Sequence, residues 1–196
     1  DVVLDSTVTD GSGNYSFTRA AGTYRLREVG QGGWVQTTDN PADIALAAGQ
    51  DVTGVNFGNF QKISISGQKY SDLNANGTKD NGEPGLSGWT INLDVDANGS
   101  VDDTDVTDSN GDYSFTNLAP GTYRLREVGQ TGWTQTSVNP ADVTVSSGTN
   151  VSDVDFGNHR DTGSLTVNKM VDEGTGQGFV GVGGSATPFR WGVDAL

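Results

Sequence analysis

The sequence predicts an all-β protein built from tandem β-sandwich repeats. Three observations carry that prediction. Apolar and polar residues alternate with a period of two, turn-forming residues punctuate the chain, with 29 glycines among 196 residues, and one long segment occurs twice. Alternation of this kind puts successive side chains on opposite faces of a half-buried strand. A duplicated segment of domain size marks a repeated module.

The repeat sets the organisation. Thr9-Asp-Gly-Ser-Gly13-Asn-Tyr15-Ser-Phe17 returns as Thr107-Asp-Ser-Asn-Gly111-Asp-Tyr113-Ser-Phe115, and Gly22-Thr-Tyr24-Arg-Leu26-Arg-Glu28 returns as Gly121-Thr-Tyr123-Arg-Leu125-Arg-Glu127. The offset is 98, then 99, and the match runs to Phe57-Gly58-Asn59 and Phe156-Gly157-Asn158. By that offset Asp1 aligns with Gly99, so the first copy lacks counterparts of residues 62–98. Residues 1–60 therefore read as the C-terminal half of a sandwich, 61–160 as a complete repeat, and 161–196 as opening strands of a further β-domain or an exchanged strand segment. The chain is expected to begin and end inside domains. In the complete copy, strands are expected near 62–70, 88–94, 104–107, 112–116, 121–128, 133–136, 142–146 and 151–157. Gly163-Ser-Leu165-Thr-Val167-Asn-Lys169 reads as the opening strand of the last segment, and Pro188-Phe189-Arg-Trp191-Gly-Val193 as a second apolar stretch.

Two loops carry candidate metal chemistry. Asp72-Leu-Asn74-Ala-Asn76-Gly77-Thr78-Lys79-Asp80-Asn81-Gly82-Glu83 has oxygen donors at positions one, three, five, nine and twelve and glycine at six, the spacing of a calcium loop. Asp72, Asn74, Asn76, Asp80, the Thr78 carbonyl and a bidentate Glu83 would complete the shell of a hard cation. Asp94, Asp96, Asn98, Ser100, Asp102 and Asp105 repeat the spacing, with the shorter Asp105 a weaker closing ligand. The same residues also suit solvated turns. Strand-like segments flank the loop, Ile63-Ser-Ile65 before it and Trp89-Thr-Ile91-Asn-Leu93 after it, instead of the helices of a sensor. The ion is therefore expected to be structural Ca2+.

Composition narrows the function. With 25 acidic against 11 basic residues, a net charge of -14 opposes nucleic acid and anionic membranes. No apolar run approaches the ~20 residues of a membrane span. Zero cysteine removes disulfides and thiolate metal sites, so an extracellular chain of this kind needs other stabilisation. His159 is the only histidine, and no nucleophile–histidine–acid set, phosphate loop or zinc set is present. No enzymatic activity is expected.

Ile65-Ser-Gly67, the loop from Asp72 to Glu83, Pro84-Gly85-Leu86, Gly111-Asp-Tyr113-Ser-Phe115, Gly121-Thr-Tyr123 and Phe156-Gly157-Asn158 together resemble the B-type repeats of serine-aspartate repeat surface proteins. These are related to collagen-adhesin B-type domains. The resemblance implies Ig-like or prealbumin-like β-sandwiches strung as calcium-stiffened stalks on bacterial surfaces.

Strand parity adds a second feature. If Tyr123 and Leu125 face the core, so does Glu127; if Val154 and Phe156 do, so does Asn158; if Ile63 and Ile65 do, so does Lys69. Collagen-adhesin B-type domains join a first-strand Lys to a last-strand Asn by an isopeptide bond with a nearby Glu, and Lys69, Glu127 and Asn158 occupy similar places. Burial would favour a neutral, nucleophilic lysine, and a protonated glutamate would polarise the amide carbonyl. Outward placement of Lys69 beside the calcium loop, a strand-end turn after Gly157 served by Asn158, and pairing of Glu127 with Arg124 or Arg126 are the alternatives. The first copy keeps Glu28 and Asn59 without a lysine strand of its own, for which Lys169 of another chain is one source.

The expected function is an extracellular structural module, acting as stalk, adhesin spacer or filament subunit, with self-association or neighbouring repeats as partners. One alternative is a carbohydrate- or protein-binding adhesin module that meets a host or surface ligand through Trp34 and Trp133. Another is an accessory domain of a secreted enzyme. The Arg-Leu-Arg motif is expected to pair Arg25, Arg27, Arg124 and Arg126 with the acidic surface across strands.

Overall fold

The computed structural model describes residues 2–163 and the short pairs 170–171 and 180–181. The chain divides into two compact units, Asp1–Arg160 and Asp161–Leu196. Among the described residues every regular element is a strand.

The first copy forms two short antiparallel pairs. β1 (Gly22–Tyr24) pairs with β3 (Ile44–Leu46), and β2 (Trp34–Gln36) pairs with β4 (Asn59–Gln61). The complete copy contributes β5 (Ile63–Ser71), β6 (Thr90–Val95), β7 (Asp103–Val106), β8 (Asp112–Leu118), β9 (Thr122–Glu127), β10 (Trp133–Gln135), β11 (Val143–Thr144) and β12 (Phe156–Arg160). These make two four-stranded sheets, ordered β10-β12-β5-β8 and β11-β9-β6-β7. Their pairings are antiparallel except that of β5 with β12, which sets the first and last strands side by side in parallel. In the second unit, β13 (Met170–Val171) pairs antiparallel with β14 (Val180–Gly181).

Period-two alternation becomes burial in the complete copy. Ile63, Ile65, Tyr113, Phe115 and Phe156 come from one sheet and Ile91, Leu93, Tyr123 and Leu125 from the other, and all are buried in one cluster. Each aliphatic side chain removed from water contributes about 1.5–3 kcal/mol. Phe60, on the last strand of the first copy, enters the same cluster. Only Lys62 separates β4 from β5, and its N–H donates to Gly33 O at 2.8 Å. The Gln61 N–H donates to Ser147 Oγ at 2.8 Å. The two copies are thus joined by continuous hydrogen-bonded backbone, and the 60/61 boundary lies inside the first compact unit.

One expected strand is displaced. The segment expected at 151–157 becomes regular only at Phe156, with Val151 making an isolated bridge to Ile65. Asp153 takes a left-handed φ of 62° that interrupts extension. The Asp155 carboxylate then accepts the Gln68 N–H at 2.7 Å, where a ladder carbonyl would otherwise serve. The expected strand at 165–169 and the apolar stretch at 188–193 lie outside the described residues, as does Lys169.

Gly157 is required by a close approach: a Cβ there would lie 2.4 Å from Cζ of Tyr70. Tyr70 is itself almost wholly buried, so its ring has little room to retreat. Gly157→Ala is expected to lower unfolding free energy in urea by about 1–3 kcal/mol through overpacking. Gly129→Ala, where nothing lies within 4 Å, should stay within about 0.5 kcal/mol.

Candidate functional site

Three polar side chains meet inside the complete copy. The parallel register pairs Phe156 with Lys69 and Asn158 with Ser71, so the Lys69 and Asn158 side chains, two positions apart along the seam, are carried towards each other. β9 brings Glu127 from the opposite sheet, opposite the fully buried Ile91. Lys69 Nζ lies 2.8 Å from Glu127 Oε2, with the two side chains 0% and 3% exposed. Asn158 is 1% exposed; its Nδ2 donates to Glu127 Oε1 at 2.8 Å, and its Oδ1 accepts from Lys69 Nζ. Lys69 Nζ also reaches Phe156 O at 3.4 Å. Glu127 Oε2 has no hydrogen-bond partner beyond the Lys69 ion pair.

Aromatic rings seal the pocket. The Trp89 ring centroid lies 4.4 Å from Lys69 Nζ, and Trp133 stacks edge-on against Trp89 at 5.8 Å and 86°. Burial pushes Lys69 down to about 8, against the hydrogen bond and charge of Glu127, which pull it upward. The glutamate bridges the lysine nitrogen and the amide nitrogen. It does not contact the amide oxygen, so the carbonyl-polarising role expected from the sequence is replaced by a position between two nitrogens.

The first loop folds on itself around Asp72, which is fully buried. Its carboxylate accepts the N–H groups of Asn76 at 3.2 Å and Gly77 at 2.7 Å. The Nδ2 groups of Asn74 and Asn76 both donate to Asp80 Oδ2 at 2.8 Å. Glu83 reaches back to accept from Leu73 N and Asp80 N, each at 2.9 Å. Burial opposes ionisation of Asp72, yet bonds from the Thr136 hydroxyl and from the N–H groups of Gly77, Asn76 and Ala75 hold its carboxyl below the ordinary value. Gly77 turns at a φ of +77°, and a Cβ there would lie 2.7 Å from Thr136 O. Asp72, Asn74, Asn76, Asp80 and Glu83 are thereby drawn into one closed, oxygen-rich turn, with Thr78 N–H bound to Asn76 Oδ1 at 2.7 Å. Among the described residues, no three His, Cys, Asp or Glu side chains converge as a ready-made metal cluster.

The second loop begins in the same way and closes differently. Asp94 accepts from Asn98 N at 3.0 Å and Gly99 N at 2.8 Å, and Asn98 Oδ1 accepts from Ser100 N at 2.8 Å. The bond that Glu83 makes to the second residue of its loop is made here by Asp102, which accepts from Val95 N at 2.7 Å. Asp105 sits on β7 and accepts from Ser114 N and Val106 N, each at 2.8 Å. Asp96 and its neighbour Ala97 both take left-handed φ angles, 69° and 55°.

The sequence model of the SdrD B-like domain matches residues 63–175. The chain belongs to this family. Serine-aspartate repeat-containing protein D of Staphylococcus aureus (strain Newman) is 34% identical over 149 residues, which cover 69% of this chain and 11% of that protein. Serine-aspartate repeat-containing protein C of strain N315 is 33% identical over 150 residues, covering 69% and 16%. The chain thus spans a small part of the length of these relatives. Among solved structures, GBS52, the minor pilin of Streptococcus agalactiae, aligns over 65% of this chain and 62% of its own, with 15% identity and a TM-score of 0.40. The shaft pilin SpaA of Lactobacillus rhamnosus GG aligns over 52% and 50%, with 16% identity and a TM-score of 0.37.

Within this SdrD B-like domain the remaining candidates have structural surroundings. Trp133 is half-buried over Trp89, while Trp34, its counterpart in the first copy, is 41% exposed. Residues 1–60 contain no counterpart of Trp89. The His159 ring nitrogen Nδ1 lies 2.8 Å from Asp72 O, at the entrance to the first loop. Arg124 pairs with Asp142 and Arg25 with Asp43, but Arg126 and Arg27 donate to the carbonyls of Pro140 and Pro41. The Lys69–Trp89 contact and the backbone clasp of Asp72 against β12 are sequence-distant features that no local pattern announces. No helix among the described residues is long and apolar enough to cross a membrane.

Removing the lysine alone leaves a buried carboxylate without its cation. Lys69→Ala is expected to destabilise the domain by about 3–5 kcal/mol. Lys69→Met combined with Glu127→Gln, which neutralises both groups, should recover a measurable part of that loss in chemical denaturation.

Proposed function

We propose that this chain is a structural module of an extracellular bacterial surface protein, held rigid by an isopeptide bond between Lys69 and Asn158 and by calcium in the loop from Asp72 to Glu83. The observation that carries the reading is the dehydrated contact of an amine, a carboxylate and an amide across the first and last strands of the repeat. Membership of the SdrD B-like family supports the structural role.

The chemistry follows from the contacts. Transfer of a proton from Lys69 to Glu127 leaves both groups neutral, the state that burial favours. Lys69 Nζ then attacks Cγ of Asn158, forming the new C–N bond as the Cγ–Nδ2 bond breaks. Glu127, hydrogen-bonded to Nδ2, is placed to return the proton to the leaving nitrogen, which departs as ammonia, and to take up the second proton that Nζ loses as it becomes the amide N–H. The product is an amide with no oxidant or cofactor consumed. Trp89 and Trp133 keep water from the pocket, lowering the cost of the neutral pair.

The first loop suits calcium by its donor chemistry. Asp72, Asn74, Asn76, Asp80, Glu83 and the Thr78 carbonyl are hard-oxygen donors in one turn. When bound, the ion would replace repulsion between carboxylates with attraction to a common centre. Asp94, Asp96, Asn98, Ser100 and Asp102 form a second, looser set, from which Asp105 is withdrawn by its own backbone partners.

Intact mass is the direct test of the bond: a chain about 17 Da lighter than its sequence, with the deficit lost in Asn158→Ala, is expected from release of ammonia. An unmodified mass sinks the proposal. The pH dependence has a defined sign. Neutral Lys69 beside protonated Glu127 holds the same number of protons as the ion pair, so the proton must stay in the pocket, and burial lowers the lysine to about 8. In freshly synthesised chain, bond formation should therefore be steady near pH 7 and slow above about pH 8, where that proton is lost to solvent. A rate that keeps rising from pH 7 to 9 excludes Glu127 as the carrier of the lysine proton.

Calcium is tested separately. Removing an ion present at a hundredfold excess over its Kd costs about 2.7 kcal/mol, so chelator should lower the melting temperature and Glu83→Gln should abolish the difference. A melting temperature indifferent to chelator removes calcium from the account. Asp105→Asn should leave calcium stoichiometry unchanged, whereas Asp102→Asn should weaken the second site.

A further inference from the structure

Asparagine followed by glycine is prone to spontaneous cyclisation, because glycine has no Cβ to obstruct attack of its backbone nitrogen on the side-chain amide carbon. The sequence holds four such pairs, Asn76-Gly77, Asn81-Gly82, Asn98-Gly99 and Asn110-Gly111. In three of them the fold holds the glycine nitrogen. Gly77 N–H donates to Asp72 Oδ2 at 2.7 Å and Gly99 N–H to Asp94 Oδ2 at 2.8 Å, both charge-assisted bonds. Gly111 N–H donates to Asp108 O at 3.0 Å. The side chains of Asn76 and Asn98 are tied as well: Asn76 donates to Asp80 and accepts from Thr78 N–H, and Asn98 accepts from Ser100 N–H.

Asn81-Gly82 is placed differently. Residues 80–83 form a β-turn closed by Glu83 N–H to Asp80 O at 3.3 Å, with Gly82 in its third place at a φ of +93°. A β-turn pairs the carbonyl of its first residue with the N–H of its fourth and makes no use of the third N–H. In the turn at residues 108–111 the glycine is fourth, so its N–H is the one that is bonded. Among the described residues neither the Gly82 N–H nor the Asn81 side chain has a hydrogen-bond partner. Both residues are exposed, and nothing lies within 4 Å of where a Gly82 Cβ would stand. An unheld nitrogen, its target carbon and access for water coincide at this one pair.

We infer that Asn81 is a modification site, converted by water to aspartate or isoaspartate while the other three pairs are held back by the fold. Gly82 N gives its proton to solvent base and bonds to Cγ of Asn81. The Cγ–Nδ2 bond breaks, and Nδ2 takes up a proton and leaves as ammonia, giving a cyclic imide. Water then adds to either imide carbonyl and opens the ring. One opening gives aspartate, the other isoaspartate, in which the main chain runs through Cβ and Cγ; neither consumes an oxidant or reductant. Both products set a new negative charge between Asp80 and Glu83. Isoaspartate also lengthens the main chain by one methylene, inside a turn whose last residue, Glu83, holds Leu73 N–H and Asp80 N–H, each at 2.9 Å. The longer turn displaces Glu83 from both, so the clasp of the first loop loosens as the protein ages.

The test incubates the intact chain in mildly alkaline buffer, with chelator present so that the result does not depend on calcium, and maps the products by fragmentation mass spectrometry. A gain of about 1 Da is expected at Asn81, or about 3 Da in water enriched in oxygen-18. Conversion at Asn76, Asn98 and Asn110 should be slower by about tenfold or more, because each first needs a local opening. In urea all four should convert at similar rates, and Asn81→Gln should remove the fast event from the folded chain. Absence of conversion at Asn81, or conversion as fast at any of the other three in the folded chain, overturns the site. Amide hydrogen exchange at Leu73 and Asp80 should be about tenfold faster in the separated isoaspartyl form than in Asn81→Asp; equal exchange overturns the loosening. The imide is itself about 17 Da light, but its loss maps to Asn81 and vanishes in Asn81→Gln, whereas a deficit from a Lys69–Asn158 bond persists.

Discussion

A buried lysine needs a reason to stay buried. Taking an ammonium out of water costs several kcal/mol even after the protein relaxes, and here that cost is met by one carboxylate, one amide and one indole face. Each comes from a different part of the repeat. Glu127 is on the second sheet, Asn158 is on the last strand, and Trp89 precedes the first strand of the second sheet. Correct register of β5 with β12 and of β6 with β9 is therefore a condition for satisfying the amine. A one-residue slip in either would turn its partner to the other face.

The loop that follows β5 is tied to this pocket through the backbone. Asp72 N–H donates to Asn158 O at 2.9 Å, and the Asp72 carbonyl meets the ring of His159. From the other side, Thr136 packs beneath Gly77 and donates its N–H to Gly157 O at 2.9 Å, with its hydroxyl oxygen 3.1 Å from the same carbonyl. The residue that opens the oxygen-rich turn and the asparagine beside the lysine thus share a hydrogen-bonded clasp. Ordering the turn restricts the strand that carries Asn158, so the two features act on the same few residues. The second loop has no such connection, and its closing carboxylate Asp105 serves β8 instead.

How much was legible in the sequence depended on whether local period or distant pairing decided the outcome. Alternation along Tyr123–Glu127 and Phe156–Asn158 pointed those side chains inward, because period two leaves one choice once the apolar residues are buried. Lys69 followed the same parity despite the register irregularity between Ile63 and Ile65. Loop spacing brought the side chains of Asp72 through Glu83 into one hydrogen-bonded turn. In the second loop the twelfth residue, Asp105, already lies on β7, where its carboxylate has strand partners that loop spacing does not register. The late start of β12 turned on Asp155 and on the φ of Asp153, which alternation does not register. The insertion of Phe60 into the neighbouring core was likewise hidden, since its counterpart in the repeat is His159 and the two make different contacts.

The parallel pairing of β5 with β12 decides how a repeat of this kind responds to tension. Chain enters at the start of β5 and leaves at the end of β12, so a pull on the two ends drags these neighbours in opposite directions along their length. Their hydrogen bonds are then loaded together in shear, and separation requires many to break at once. An antiparallel first and last pair would instead peel open one bond at a time. Because only Lys62 lies between β4 and β5, force passes from one copy into the next with almost no slack, as along a cable whose links are already drawn tight.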